Sequence, residues 1–148
     1  MSAQPRPLRL AIVAGEESGD LLGADLVAAL KRCLGDRIEL IGVGGRHLQA
    51  EGLASLFDPS EIALMGLSAV LRDLPNLARR ISQTTRAVVD ARPDCLVTID
   101  SPDFGLRVAR RVRAAAPAVA TVHYVCPSVW AWRPGRAPAL KPYIDHIL

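Results

Sequence analysis

The 148-residue sequence has no run approaching the roughly twenty apolar residues that a membrane span requires. No long apolar segment precedes its first strand-like run either, so no secretory leader is expected and a cytoplasmic location is. Cysteine is scarce: Cys33, Cys95 and Cys126 are odd in number, widely spaced and without a CxxC pair. That argues against a disulfide framework and a structural zinc site and leaves buried or incidental thiols. Aromatic residues make up only 4%, and no dense basic run is interleaved with them. The formal charge of +3 is therefore mild attraction to anionic surfaces, and nucleic acid is not an expected partner. The familiar phosphate motifs are missing as well. Gly15 to Asp20 has no lysine where a P-loop needs one, and its glycines lack the dinucleotide spacing. Gly42 to Gly45 falls after the second strand, where a dinucleotide fold wants an acidic ribose ligand, so a NAD site is disfavoured. A triad of Ser18, His123 and Asp100 is disfavoured too, because no G-x-S-x-G elbow surrounds the serine.

What is present is organised around RLAIVAGEESGDLLGADL, residues 9 to 26. Leu10 to Val13 form an unbroken apolar run, which suits a strand covered on both faces. Gly15 and Gly19 permit close backbone approach, Ser18 is placed to cap the following helix, and Leu22, Leu26, Ala29 and Leu30 recur at helical spacing. A strand, loop and helix of this kind put polar groups and a helix N-terminus at a strand's carboxyl end, where open α/β sheets bind ligands.

The chain then alternates. A strand is expected at 38 to 43, a short helix at 47 to 51, a weak strand at 53 to 57, and an unusually apolar segment at 61 to 71. A helix follows over 74 to 91, with Leu74, Leu77, Ile81 and Val88 on one face, then a strand over 95 to 99. A helix over 102 to 116 carries Arg107, Arg110, Arg111 and Arg113 outward as a solvated face, and a strand over 119 to 125 comes next. Residues 145 to 148 read as the start of a sixth strand without a polar terminator, so the chain is expected to be the N-terminal part of a longer polypeptide. Alternation without repeats or linkers implies one α/β domain, residues 1–148, with a doubly wound parallel sheet of the Rossmann-like type.

Candidate chemistry gathers at strand ends. Asp100 and Asp103 follow the strand over 95 to 99; one of them, or Ser101, caps the next helix before Pro102, or a carboxylate accepts a proton from a substrate hydroxyl. Glu16, Glu17 and Asp20 suit either a helix N-terminus or hydroxyl recognition. His123 reads as a hydrogen-bonded packing residue or a ligand. Trp130 and Trp132 with Arg133 suit stacking on a sugar or packing under a loop.

Six strings occur in one order: AGEESGDLLGADL at 14 to 26, GVGG at 42 to 45, LQAEG at 48 to 52, ALMGLSAVL at 63 to 71, TIDSPDF at 98 to 104 and HYVCPSVWAWR at 123 to 133. Together they closely resemble the N-terminal half of the lipid-A-disaccharide synthases, glycosyltransferases of Gram-negative outer-membrane biosynthesis. The resemblance implies a two-domain, inverting GT-B enzyme without metal or other cofactor, whose C-terminal donor domain this chain lacks. It would transfer 2,3-diacylglucosamine from UDP-2,3-diacylglucosamine to 2,3-diacylglucosamine 1-phosphate. Asp100 matches the family's favoured general base. Glu16, Ser18, Gly19, Asp20, Asp103, His123, Ser128, Trp132 and Arg133 would shape the substrate site. Leu67, Val70, Leu71, Leu74 and Leu77 would contact acyl chains and the inner-membrane surface, with Arg72, Arg79 and Arg80 near anionic headgroups. A homo-oligomer is a further expected partner. Cys126 stands where the family pattern has serine. The alternatives are a UDP-sugar epimerase of the same fold and a non-catalytic lipid-binding module.

Overall fold

The computed structural model describes residues 5–63, 74–100, 102–125 and 136–148. Within them β1 (Leu8–Ala14), α1 (Glu17–Leu34), β2 (Ile38–Val43), α2 (Arg46–Ala50), α3 (Ser60–Ala63) and α4 (Leu74–Ala91) are followed by β3 (Cys95–Ile99), α5 (Pro102–Ala115), β4 (Ala120–Tyr124), α6 (Arg136–Leu140) and β5 (His146–Ile147). The strands form one parallel sheet in the order β2-β1-β3-β4-β5. This is the α/β Rossmann-like arrangement that the alternating pattern predicts.

Strand alternation sorts the apolar residues into two cores. Leu10, Ile12 and Ala14 of β1 join Val97 and Ile99 of β3 under Val27 of α1 and Leu48 of α2. Ala11 and Val13 face the other way, with Leu96, against Ile81 and Val88 of α4 and Phe104, Val108 and Val112 of α5.

Several expectations need correction. The weak strand at 53 to 57 is a single parallel bridge between Gly42 and Ser55; Gly42 there has φ +138° and packs so closely on β1 that a Cβ would sit 1.9 Å from the Ile12 carbonyl oxygen. The deepest face of α1 is not its leucine stripe but Gly19, Gly23, Ala24 and Val27. A Cβ on Gly23 would lie 3.0 Å from Ile99 and 3.1 Å from Leu48, so small residues bring this helix close to the sheet. Leu22, Leu26 and Leu30 are only half-buried around it. Arg113 is not a solvated arginine: its guanidinium binds Asp145 and the Thr121 hydroxyl and ties α5 to the turn before β5. Arg80 is equally committed, pairing with Glu61 at 2.6 Å over the Phe57 ring. Cys33 is exposed, whereas Cys95 is partly buried and its thiol is pushed up by burial.

Candidate active site

Three consecutive residues at the start of α1 meet three different parts of the molecule. Gly19 packs against the end of β3, where a Cβ would come within 3.3 Å of the Ile99 carbonyl oxygen. That closeness lets the preceding Ser18 hydroxyl donate to Oδ2 of Asp100 at 3.0 Å. The helix starts two residues earlier than a Ser18 cap requires: Glu16 is the extended N-cap residue, makes no side-chain cap, and leaves Ser18 inside the first turn. Asp20 turns the opposite way. Its Oδ1 accepts from the amides of Gly45 (2.8 Å) and Leu48 (3.0 Å), and its Oδ2 from that of His47 (2.9 Å). The carboxylate caps α2 and is 4% exposed, and the residue also lines a cleft shared with Glu16 and Glu17.

Asp100 follows β3 directly with φ +49°, a left-handed conformation that a non-glycine residue holds at a cost. It is half-buried. Among the described residues its carboxylate has one hydrogen-bond partner, Ser18 on Oδ2, and Oδ1 has none. Asp103 lies one turn away in α5 and is exposed.

His123 sits on β4 in register with Thr98 of β3, and its Nδ1 lies 2.8 Å from the Thr98 hydroxyl. It is fully buried, and its Nε2 has no hydrogen-bond partner among the described residues. Burial pushes its pKa below the usual histidine value, and the charge of Asp100 partly opposes this. Ser18 and His123 do not meet, so no triad forms. Sequence reading missed Thr98 and Gly105, whose Cβ would stand 3.1 Å from that of Thr98. The signal was a threonine in an apolar strand opposite a histidine.

Two adjoining clefts open beside this edge, of about 340 and 390 Å³, sharing Gly45, Arg46, Asp58 and Pro59. Glu16 and Glu17 border the first, and Arg46 lies 3.4 Å from Glu17. Asp100 lines neither cleft; what it offers is a half-buried carboxylate at a strand end, a group able to accept a proton from a hydroxyl brought to it. Ser128, Trp132 and Arg133 lie outside the described residues, as do Leu67, Val70, Leu71 and Arg72. Leu74 opens α4, while Leu77 is 7% exposed and belongs to the core.

A family model described as Lipid-A-disaccharide synthetase matches residues 10–148. A lipid-A-disaccharide synthase of Rhodopseudomonas palustris (strain HaA2) is 57% identical over 140 residues, covering 95% of this chain and 36% of that protein. One of Nitrobacter hamburgensis is 55% identical over 95% of the chain and 35% of its own length, and one of Rhodospirillum centenum 47% over 97% and 36%. The chain thus spans about a third of the length of the curated relatives it matches.

Proposed function

Taking as premise that this chain belongs to the lipid-A-disaccharide synthetase family, we propose that it is the acceptor-binding part of an inverting glycosyltransferase. The donor is UDP-2,3-diacylglucosamine and the acceptor 2,3-diacylglucosamine 1-phosphate. In the transfer, Oδ1 of Asp100 takes the proton of the acceptor's 6-hydroxyl while that oxygen bonds to the donor's anomeric carbon. The bond from that carbon to the UDP oxygen breaks, UDP leaves with the electron pair, and the configuration inverts. The observation that carries this reading is the carboxylate of Asp100, held at the carboxyl end of β3 in a left-handed conformation with one oxygen engaged by Ser18 and the other without a partner among the described residues. Residues of a second, donor-side domain would complete the site. Ser128, Trp132 and Arg133 belong to this reading on the interdomain side.

The same reading makes the protein peripheral on the cytoplasmic face of the inner membrane, docked through the apolar run at 63 to 71 and Leu74, with Leu67, Val70 and Leu71 toward acyl chains. The test is calorimetric titration of this chain with 2,3-diacylglucosamine 1-phosphate, beside a UDP control. Saturable acceptor binding without comparable UDP binding is expected. UDP binding without acceptor binding would favour a donor-side or epimerase role instead.

A further inference from the structure

A β-strand sends successive side chains to opposite faces of its sheet, and β3 and β4 keep that rule only as far as their last residues. In β3, Leu96 packs on the α4 and α5 side and Thr98 lies beneath Gly105 of α5, while Val97 and Ile99 pack with Val27 of α1. Asp100 should follow Thr98 to the α5 side. Its carboxylate instead meets Ser18 of α1. The exit from β4 breaks the rule at the same level. His123 joins Thr98, whereas Val122 and Tyr124 pack against the α1-side core, so Val125 should follow His123. It packs against the α1-side core as well. One conformation accounts for both exceptions: Asp100 has φ +49° and Val125 φ +73°, left-handed angles that turn a side chain across the sheet. Arg92, the third such residue apart from glycine among those described, merely follows the end of α4, where left-handed residues are usual.

Asp100 and Val125 are also neighbours. Ile99 pairs with Tyr124 and the Asp100 amide donates to the Tyr124 carbonyl at 3.3 Å, so the two residues stand side by side on strands about 4.8 Å apart. The Val125 amide donates to the Leu148 carbonyl at 2.9 Å, which pins this strand end in place. An aspartate visits the left-handed region at modest cost, but a β-branched valine there is an outlier. Glycine would hold the angle without strain. What valine adds is an isopropyl group beside the carboxylate. We propose that Val125 is a positioning residue for Asp100, held in a strained conformation so that its isopropyl group walls the β4 side of the carboxylate while Ser18 holds it from α1. Between the two, the carboxylate is confined to one direction and Oδ1 is presented in one place. This rests on Asp100 as the base of the transfer proposed above.

The test is made in the complete polypeptide, where kcat, KM and the thermal midpoint are measured for Val125→Gly, Val125→Ile, Val122→Gly and Asp100→Asn, and for Val125→Gly combined with Asp100→Asn. Val125→Gly should leave the midpoint nearly unchanged, released strain offsetting lost packing, while kcat falls about tenfold at unchanged KM. Val122→Gly removes the same side chain from an extended, half-buried position on the same face of β4 and should lower the midpoint by roughly 5 °C or more. Val125→Ile keeps the branched wall and should stay within about twofold of wild-type kcat. In the Asp100→Asn background, Val125→Gly should cost nothing further, because it acts through the carboxylate. A midpoint that falls as far in Val125→Gly as in Val122→Gly would make Val125 a packing residue and overturn the proposal. Wild-type turnover in Val125→Gly, an equal loss in Val125→Ile, or full additivity with Asp100→Asn would overturn it too, while an inactive Asp100→Asn leaves the base assignment standing. Near wild-type turnover in Asp100→Asn would overturn that assignment and the proposal with it.

Discussion

Asp20 and Asp100 stand at the same edge of one parallel sheet, and the fold treats them in opposite ways. Asp20 is 4% exposed, and its two oxygens take three backbone amides. Asp100 is half-buried, receives one hydroxyl, and has no other partner among the described residues, at a backbone angle that has a cost. A carboxylate saturated by amides fastens one element to another, because protonating it would forfeit those bonds. A carboxylate with one lone-pair edge open can accept a proton and release it. The motif SGD thus holds both uses side by side: Asp20 secures α2, and Ser18 aims Asp100.

The comparison is tested most severely at Asp100. In the complete polypeptide, Asp100→Asn should lower turnover by about 10²- to 10⁴-fold, the usual range for a lost general base. Asparagine tolerates the left-handed conformation, so the thermal midpoint should hardly move. Near wild-type turnover would break the contrast from one side. Asp20→Ala should do the reverse. Stranding amides at Gly45, His47 and Leu48 should cost about 3 kcal/mol by denaturant titration, or roughly 10 °C in midpoint for a domain of this size. An Asp20→Ala protein of unchanged stability that had lost acceptor binding would break the contrast from the other side.

How much of this was readable beforehand depends on whether a signal is local. The strands at 38 to 43 and 95 to 99 and the helix from 74 to 91 match their sequence patterns, because unbroken apolar runs and helical periodicity reflect burial directly. Asp100 was legible as a carboxylate at a strand end. Asp20 was not separable from it, since the amides that consume it belong to residues 45 to 48, beyond any local pattern. For the same reason Arg113 looked solvated and Arg80 looked available to anionic headgroups until Asp145 and Glu61 were brought to them by the fold. The Ser18 cap failed on a shift of two residues: the N-cap is Glu16, Ser18 lies inside the first turn, and its hydroxyl goes to Asp100 after β3, beside the close approach of Gly19 to Ile99.

Ser18 offers a way to sharpen the contrast. A hydroxyl donating to a charged group contributes about 1.5 kcal/mol, so Ser18→Ala should lower turnover about tenfold in the complete polypeptide, well short of Asp100→Asn. Combining Ser18→Ala with Asp100→Asn should add little, because the serine acts through the carboxylate it orients. Full additivity would mean that Ser18 contacts substrate on its own account.

The smallest effect is expected at His123, and it reports on Asp100 alone. Burial lowers the pKa of this histidine, so the native state binds fewer protons than the unfolded chain once the pH falls toward about 6.5. Its neutral form therefore supports stability above that pH, and the contribution is lost as the pH falls below it. Asp94 and Asp145, both held low by hydrogen bonds and arginine partners, lose their contributions only below about 4, outside this window. Thermal melts from pH 7 to 5 should show a modest decline that His123→Gln flattens. The Asp100 charge opposes the depression, so Asp100→Asn should make protonating His123 harder and steepen the decline, while Asp20→Asn should leave its slope unchanged. Identical slopes in all three backgrounds would mean that the Asp100 charge does not reach the buried ring, and that the two carboxylates differ in hydrogen bonding only.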